Sequence, residues 1–507
     1  MNFARVRPNR SGRRDDRGSL PMAMLVSLVG MSLSAALVPV VVNHLAATRV
    51  SATRTRALHA AQAGIDTALG HIRAATDLPG AGNLSDLPSG PLTSGTAPDG
   101  SRYRVTIDYR DLDGVSLGSR PTSRPQSAVL VSIGVATPNG AFDQNTPGAR
   151  TLQATYTFLT SATIIPGGQI HVRSTNADLC VDAGSARPAA GAVVTMRRCD
   201  NAPQQQIFAY NANLTLTLVS SRTVANPNGM CLDAGSPHAA NAEVKLQACA
   251  ATSRPSQQWI FNDAGNLAGT GDGNGQDGYC FNVKIPDSPG STVVLGSGTA
   301  CNGNQDNVQT FRPDSTVGTG AAGPASGQLV NFAQFSRCLN VTDGVPTTAY
   351  LTAWPCRQVI DSSRIPPEQV WTLPAMNPTT HTSPGLITVK IGGVDYCLRS
   401  PQSSGAYPNV TRCPAGSPPA NLSWTVYGLT GSFTTSYQIT DGVGLCLAVA
   451  DPATSPTEIH QPAPGAGPTM SRIVLRACDG GLWQKWNAPA DLTRPSPLTS
   501  YFERTAG

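Results

Sequence analysis

Cys231-Leu232-Asp233-Ala234-Gly235, then Val244-Lys245-Leu246-Gln247-Ala248-Cys249, then Gln257-Gln258-Trp259: this stretch is one round of a pattern that recurs along the chain. All twelve cysteines lie between Cys180 and Cys478 and fall into successive pairs: Cys180 and Cys199, Cys231 and Cys249, Cys280 and Cys301, Cys338 and Cys356, Cys397 and Cys413, Cys446 and Cys478. First members follow one another by roughly fifty residues, a period typical of structural repeats. Each opens a short motif, as in Cys180-Val181-Asp182, Cys280-Phe281-Asn282, Cys338-Leu339-Asn340, Cys397-Leu398-Arg399 and Cys446-Leu447-Ala448.

A Gln-x-aromatic signature closes most units: Gln206-x-Phe208, Gln257-x-Trp259, Gln309-x-Phe311, Gln369-x-Trp371 and Gln484-x-Trp486, with Leu422-x-Trp424 departing in the fifth. Together these motifs resemble the ricin-type lectin family, whose fold is the β-trefoil of three such units. The resemblance covers about residues 166–490 and implies two trefoils, 166–316 and 327–490. It also implies one disulfide inside each unit, and so an oxidising compartment. Zinc is the rival reading, but no close Cys-x-x-Cys pair is present, and His171, His238, His381 and His460 are scattered. Val317–Ser326, rich in Gly, Ala, Pro and Ser, reads as a flexible linker, and 491–507 as a C-terminal tail.

The physics points the same way. Short alternating strands between Gly, Pro and Asn turns read as all-β. One unit alone buries too little apolar surface, so three must share a core, with the signature aromatic packed inside it. The expected fold is mainly β: two tandem β-trefoils behind a long transmembrane α-helix and a small α+β region.

The front end reads differently. Residues 1–18 form a basic leader with Arg5, Arg7, Arg10, Arg13, Arg14 and Arg17, and Gly18 to Leu45 contains no Asp, Glu, Lys or Arg. Leu20–Val42 is long enough to cross a bilayer as a helix, and the preceding arginines favour a cytoplasmic N-terminus. A cleaved secretory peptide is the alternative, although its apolar region is usually shorter. Leu58, Ala61, Ile65, Ala68, Leu69 and Ile72 recur at helical spacing, so one long helix is expected over 19–74. Three strands are expected in 75–165: Tyr103–Tyr109, Ala128–Gly134 and Thr151–Thr157.

This front end resembles a type IV pilin or minor pseudopilin over about residues 13–165. Arg17-Gly18 followed by Ser19-Leu20-Pro21-Met22 is similar to a prepilin peptidase site, Pro39 sits where a mid-helix proline is typical, and Ala60–Asp66 resembles the Ala-rich helix motif. The family's usual glutamate is replaced by Ala23. The resemblance implies cleavage after Gly18.

With 507 residues, two to four domains are expected. Charged residues are 13% of the chain, about half the usual share. The net charge of +5 comes with no basic stripe bearing interleaved aromatics, which argues against nucleic acid. Asp272–Gly278 looks like a calcium loop, but Asp277 stands where glycine is needed and Val283 where glutamate is needed, so it reads as a plain loop. Asp108–Gly114 reads as a turn. No cofactor or metal is expected, and no nucleophile or nucleotide-binding motif is present.

In sugar-binding trefoils of this family, the pocket uses the Asp after the first cysteine, an aromatic two residues before the second, and polar groups near Gln-x-Trp. Carried over residue by residue, no unit is complete. Unit two offers Asp233 and Gln257 but has Gln247 at the aromatic position. Unit four offers Trp354 and Gln369 but has Asn340 in place of Asp. Unit one offers Asp182 and Gln206 but has Arg197. The expected order of binding is unit two, four, one. The alternative is that these polar side chains only satisfy turns.

The functional expectation is a membrane-anchored, externally displayed carbohydrate-binding protein, its partners being glycans or cell-wall polysaccharide, the membrane and pilin-like proteins. It reads as a non-enzyme, because about ninety residues between helix and first trefoil are short for a catalytic domain. A structural or assembly role with degenerate trefoils, a secreted form, and more remotely a polysaccharide hydrolase are the alternatives.

Overall fold

A computed structural model describes residues 20–76, 84–89, 92–97, 99–123, 125–136, 142, 148–158, 165–175, 177–201, 203–301, 307–461, 469–490, 492 and 498–504. The basic leader and the bond after Gly18 lie outside the described residues. The chain forms two units, residues 1–158 with 498–507, and residues 159–497.

The first unit is built on one α-helix, Leu20–Thr76, of 57 residues with Pro39 inside it. At 1.5 Å per residue it is about 85 Å long. Residues 21–50 are exposed throughout. From Ala57 onward the helix buries one face through Ala57, Ala60, Ala61, Ile65, Ala68, Leu69 and Ile72. That face packs on an antiparallel sheet ordered Leu92–Thr96, Arg102–Arg110, Ser127–Val135, Arg150–Thr157, Leu498–Arg504. The small residues have a steric reason. A Cβ at Gly134 would collide with the Ala57 carbonyl, and one at Gly64 with the Ser132 hydroxyl and Val105. The three expected strands are present, each slightly longer than its sequence pattern. Asp111 closes the turn after Arg102–Arg110 by accepting from the N–H groups of Asp113 and Val115, both at 2.9 Å.

One correction concerns the C-terminus. Residues 498–504 are not a tail; they pair antiparallel with Arg150–Thr157, Leu498 opposite Tyr156 and Arg504 opposite Thr151. Without them Arg150–Thr157 would be an open sheet edge, the kind of edge proteins usually cover.

The second unit holds six repeats of short antiparallel strands around two cores. In the first lobe three inner strands close a ring of backbone bonds: Val194 N–H donates to Val244 O (2.9 Å), Val244 N–H to Val293 O (2.9 Å) and Val293 N–H to Val194 O (3.0 Å). The strand Phe311–Pro313 of unit three pairs with Ile170–Arg173 of unit one and completes the lobe. The second lobe closes likewise, Asn487 N–H donating to Val330 O at 2.7 Å. Threefold closure with a shared core is the β-trefoil plan in both lobes. Phe208, Trp259 and Phe311 sit in one core, and Trp371, Trp424 and Trp486 in the other.

Each repeat carries its own disulfide. In the first lobe Cys180 is bonded to Cys199, Cys231 to Cys249 and Cys280 to Cys301. In the second lobe Cys338 is bonded to Cys356, Cys397 to Cys413 and Cys446 to Cys478. Cα separations run from 4.9 to 5.5 Å, inside the ordinary range for the bond. The partners face each other because the strands that carry them pair: Cys338 stands opposite Trp354, two residues before Cys356, and Cys397 opposite Thr411, two residues before Cys413. Unit three differs locally, since Cys301 ends a short 3-10 turn, Gly298–Cys301, instead of following directly on a strand.

The connector between lobes is a second correction. Residues 317–326 are packed, not flexible. Val317 is fully buried and Ala322 nearly so, Ala321 N–H donates to Gln358 Oε1 at 2.9 Å, and Gln358 Nε2 returns to Thr319 O at 2.9 Å. Gly320, at φ +63°, lies where a Cβ would strike the Tyr210 ring. Its glycine allows close approach, the opposite of the looseness its composition suggests. Beyond it, Phe335 meets the first core, edge-on to Phe261 at 4.9 Å.

Candidate functional site

The repeat signature explains itself in hydrogen bonds. The Gln257 Oε1 accepts from Ala250 N–H (2.9 Å) and its Nε2 donates to Ala248 O (3.0 Å). Gln369 does the same to Arg357 N–H and Pro355 O, both at 3.0 Å, and Gln484 to Asp479 N–H (3.0 Å) and Ala477 O (2.8 Å). In each unit these groups flank the second cysteine, Cys249, Cys356 and Cys478 in turn. The glutamine is therefore a buried clamp on that turn. The indole of Trp259, Trp371, Trp424 and Trp486 donates to the carbonyl of Leu232, Leu339, Leu398 and Leu447, the leucine after the first cysteine, at 2.8–3.0 Å. Signature and cysteines thus form one internal framework.

On that framework the pocket positions differ. Asp233 ends the strand Met230–Asp233 and is half-buried. Its Oδ1 accepts from Gly235 N–H (2.8 Å) and its Oδ2 from the Ser256 hydroxyl (3.0 Å). Ser256, beside Gln257, had no motif to mark it; only folding brings it to Asp233. Gln247 is half-buried, and its side chain has no hydrogen bond among the described residues.

Asp182 is 4% exposed, with Oδ1 accepting from Gly184 N–H (2.6 Å) and Oδ2 from Gln206 Nε2 (2.9 Å). Gln206 also donates to Arg198 O (2.9 Å) and accepts from Gln169 Nε2 (2.6 Å). Unit one's polar pair is an internal network. In unit four, Asn340 is buried and donates to Val341 O at 2.9 Å. Trp354 is half-buried, its ring centroid 6.3 Å from His460. Burial raises the pKa of Asp263, and a hydrogen bond from Trp354 opposes that rise. The Trp354 ring therefore lies between the first lobe and the insertion of unit six.

A further polar cluster sits on the seam that closes the first lobe. His171 Nδ1 lies 2.7 Å from Asp178 Oδ2 and its Nε2 3.3 Å from Asp314 Oδ1, beside a cavity of about 600 Å³. The Asp314 bond raises the His171 pKa above its ordinary value, with Asp178 adding to it against burial. Burial works to raise Asp314, but bonds from His171 and the Gln169 N–H outweigh it and hold the carboxyl below its ordinary value. His171 also lies near the sulfurs of Cys180 and Cys199, but these are bonded to each other and offer no thiolate for a metal.

Residues 168–305 match the model of the ricin-type beta-trefoil lectin domain. No curated protein matches the chain. Among solved structures, an agglutinin from Abrus precatorius is similar at 17% identity over 65% of this chain and 98% of its own, with a TM-score of 0.23. The C-half of the earthworm R-type lectin in complex with GalNAc is similar at 15% identity over 29% of this chain and 97% of its own, with a TM-score of 0.21. An exo-beta-1,3-galactanase from Clostridium thermocellum is similar at 13% identity over 79% and 94%, with a TM-score of 0.21.

Proposed function

We propose that this chain, which carries a ricin-type beta-trefoil lectin domain over residues 168–305, is an extracytoplasmic glycan-binding protein held at a membrane by its N-terminal helix, with unit two as the leading sugar pocket. The observation that carries the choice of pocket is the state of Asp233. It is held by one backbone N–H and one hydroxyl, is half-buried, and stands near the unengaged Gln247 side chain on the neighbouring strand. Asp182 is bonded on both oxygens as well, but it is only 4% exposed, so its carboxylate is closed to a ligand where that of Asp233 is not. A half-exposed carboxylate accepts from vicinal sugar hydroxyls, and shallow sites of this kind are individually weak and gain from being linked.

The full chain in detergent is to be tested on a glycan array and on cell-wall polysaccharide. Retention that falls at least several-fold in Asp233→Ala supports the reading, and no retention on either surface overturns it. The same experiment separates binding from hydrolysis, because an enzyme would release sugars from the polysaccharide.

A second reading rests on the first unit. A long helix whose distal half packs on an antiparallel sheet, with small residues at the contact, is consistent with a minor pilin-like component. The internal networks at Asp182 and Asn340 suit lobes that contact protein rather than sugar. Sugar-insensitive capture of pilus or envelope proteins would favour it over the glycan-binding reading.

A further inference from the structure

Unit six has the widest cysteine spacing, 32 residues against 16–21 in the others. The additional chain carries the strand Ile459–Gln461, which pairs with Met470–Ala477. On the latter strand Arg472 stands opposite Thr352, and Thr352 stands opposite Asn340. Alternation along a strand therefore puts Arg472 on the outward face of unit four, with Asn340 and Trp354. Its guanidinium carbon lies 4.4 Å from the ring centroid of Tyr350 and 5.4 Å from that of Tyr407. Tyr350 is fixed in turn by a 2.9 Å bond between its hydroxyl and His460 Nδ1, and His460 neighbours Trp354.

Among the described residues this cation lacks an anion. The Arg472 side chain has no hydrogen bond or ion pair among the described residues, and its Nε is buried without a partner. The carboxylate of Glu458, on the same insertion, is taken by Arg476 at 2.7 Å. Buried polar groups are ordinarily satisfied, and an unmade bond to a charged group is costly. A guanidinium packed against two rings is oriented in advance, and its fork matches the two oxygens of a carboxylate. The neighbouring indole offers an apolar face of the kind on which a pyranose ring lies.

We propose that Arg472, with Tyr350, Tyr407 and Trp354, forms a subsite for an acidic saccharide, the sugar carboxylate on the guanidinium and the ring toward Trp354. The inference rests on the glycan-binding reading and adds a ligand class to it. The fork and the aromatic floor favour a sugar acid over a free oxyanion.

The test is calorimetry on the full chain in detergent with trigalacturonate, its carboxyl-reduced neutral counterpart and sodium sulfate. Trigalacturonate is expected to bind about tenfold tighter than the neutral sugar, with sulfate far weaker than either. Arg472→Gln should erase that preference, and Arg472→Lys, which keeps the charge but loses the fork, should retain only part of it. Thermal melting of each variant checks that the lobe still folds, and the lysine variant keeps the test decisive if the glutamine variant does not. Raising salt from about 0.05 to about 0.5 M should weaken trigalacturonate and leave the neutral sugar unchanged. Equal affinity for both sugars, a preference that survives Arg472→Gln, or sulfate binding as tight as trigalacturonate overturns the subsite and leaves the general reading standing. Binding of neither sugar overturns the subsite, while the general reading falls only if the glycan array and the polysaccharide also retain nothing.

Discussion

The glutamine of Gln-x-Trp holds the turn at the second cysteine, and this separates what supports the lobe from what can meet a ligand. Gln257→Ala would leave the Ala250 N–H and the Ala248 carbonyl without their partner. An unsatisfied, partly buried backbone group costs about 1–3 kcal/mol. The variant is therefore expected to lower the melting temperature, while glycan retention per folded molecule stays near that of the parent. Asp233→Ala should show the reverse, lost retention with little change in melting. His171 gives a residue-level test in pH. Its folded pKa lies above its ordinary value, principally through Asp314. The group's contribution to stability is full below about pH 6.5, the ordinary histidine value, and is lost as pH rises through the folded pKa. Asp314 has the opposite sign: its contribution is present above about pH 4 and is lost on acidification. Melting of the parent should fall as pH rises above about 6.5, and His171→Asn should flatten that slope. An unchanged slope would show that the seam pair does not govern it.

At the level of elements, legibility followed sequence distance. The disulfides and the core aromatics could be read because each repeat brings its own strands, cysteines and signature together within a short stretch. The clamping role of Gln257, Gln369 and Gln484 could not, since backbone groups on either side of a cysteine are what they hold and only the folded strands bring these together. Ser256 and Arg472 were missed for a related reason: both act across strands, Arg472 through a pairing between units four and six. The strand Leu498–Arg504 was the least legible. Thr499 lies 344 residues from its partner Thr155, and Tyr501 and Phe502 are exposed, so no buried alternation marked it. Its contribution comes from completing an edge, with Arg150 and Glu503 paired across it at 2.8 Å. Removing residues 498–507 should speed amide exchange along Arg150–Thr157 and cause self-association through the freed edge. Unchanged exchange there would mean that the strand adds nothing to the sheet.

For the molecule as a whole, the helix poses a solvent problem that the rest of the chain does not solve. From Met22 to Val42 it exposes methionines, leucines and valines, most of them more than half accessible. The stretch meets the length needed to cross a hydrocarbon core of about 30 Å. Polar punctuation begins directly after it, at His44, Arg49, Arg54 and Arg56, just before the face that packs on the sheet. A helix of about 85 Å is too long for a membrane alone; its division into an apolar exposed half and an amphipathic packed half accounts for the excess. In phase separation with a nonionic detergent, the full chain should enter the detergent phase. A variant lacking residues 1–45 should stay in water with its six disulfides intact, because those bonds and both trefoil cores lie entirely within residues 159–497. The full chain remaining in the aqueous phase as a monomer would contradict the membrane reading. Mass spectrometry of the mature N-terminus then distinguishes the routes: a start at Ser19 favours pilin-type processing, Met1 a plain anchor, and a start beyond Asn43 a secreted product.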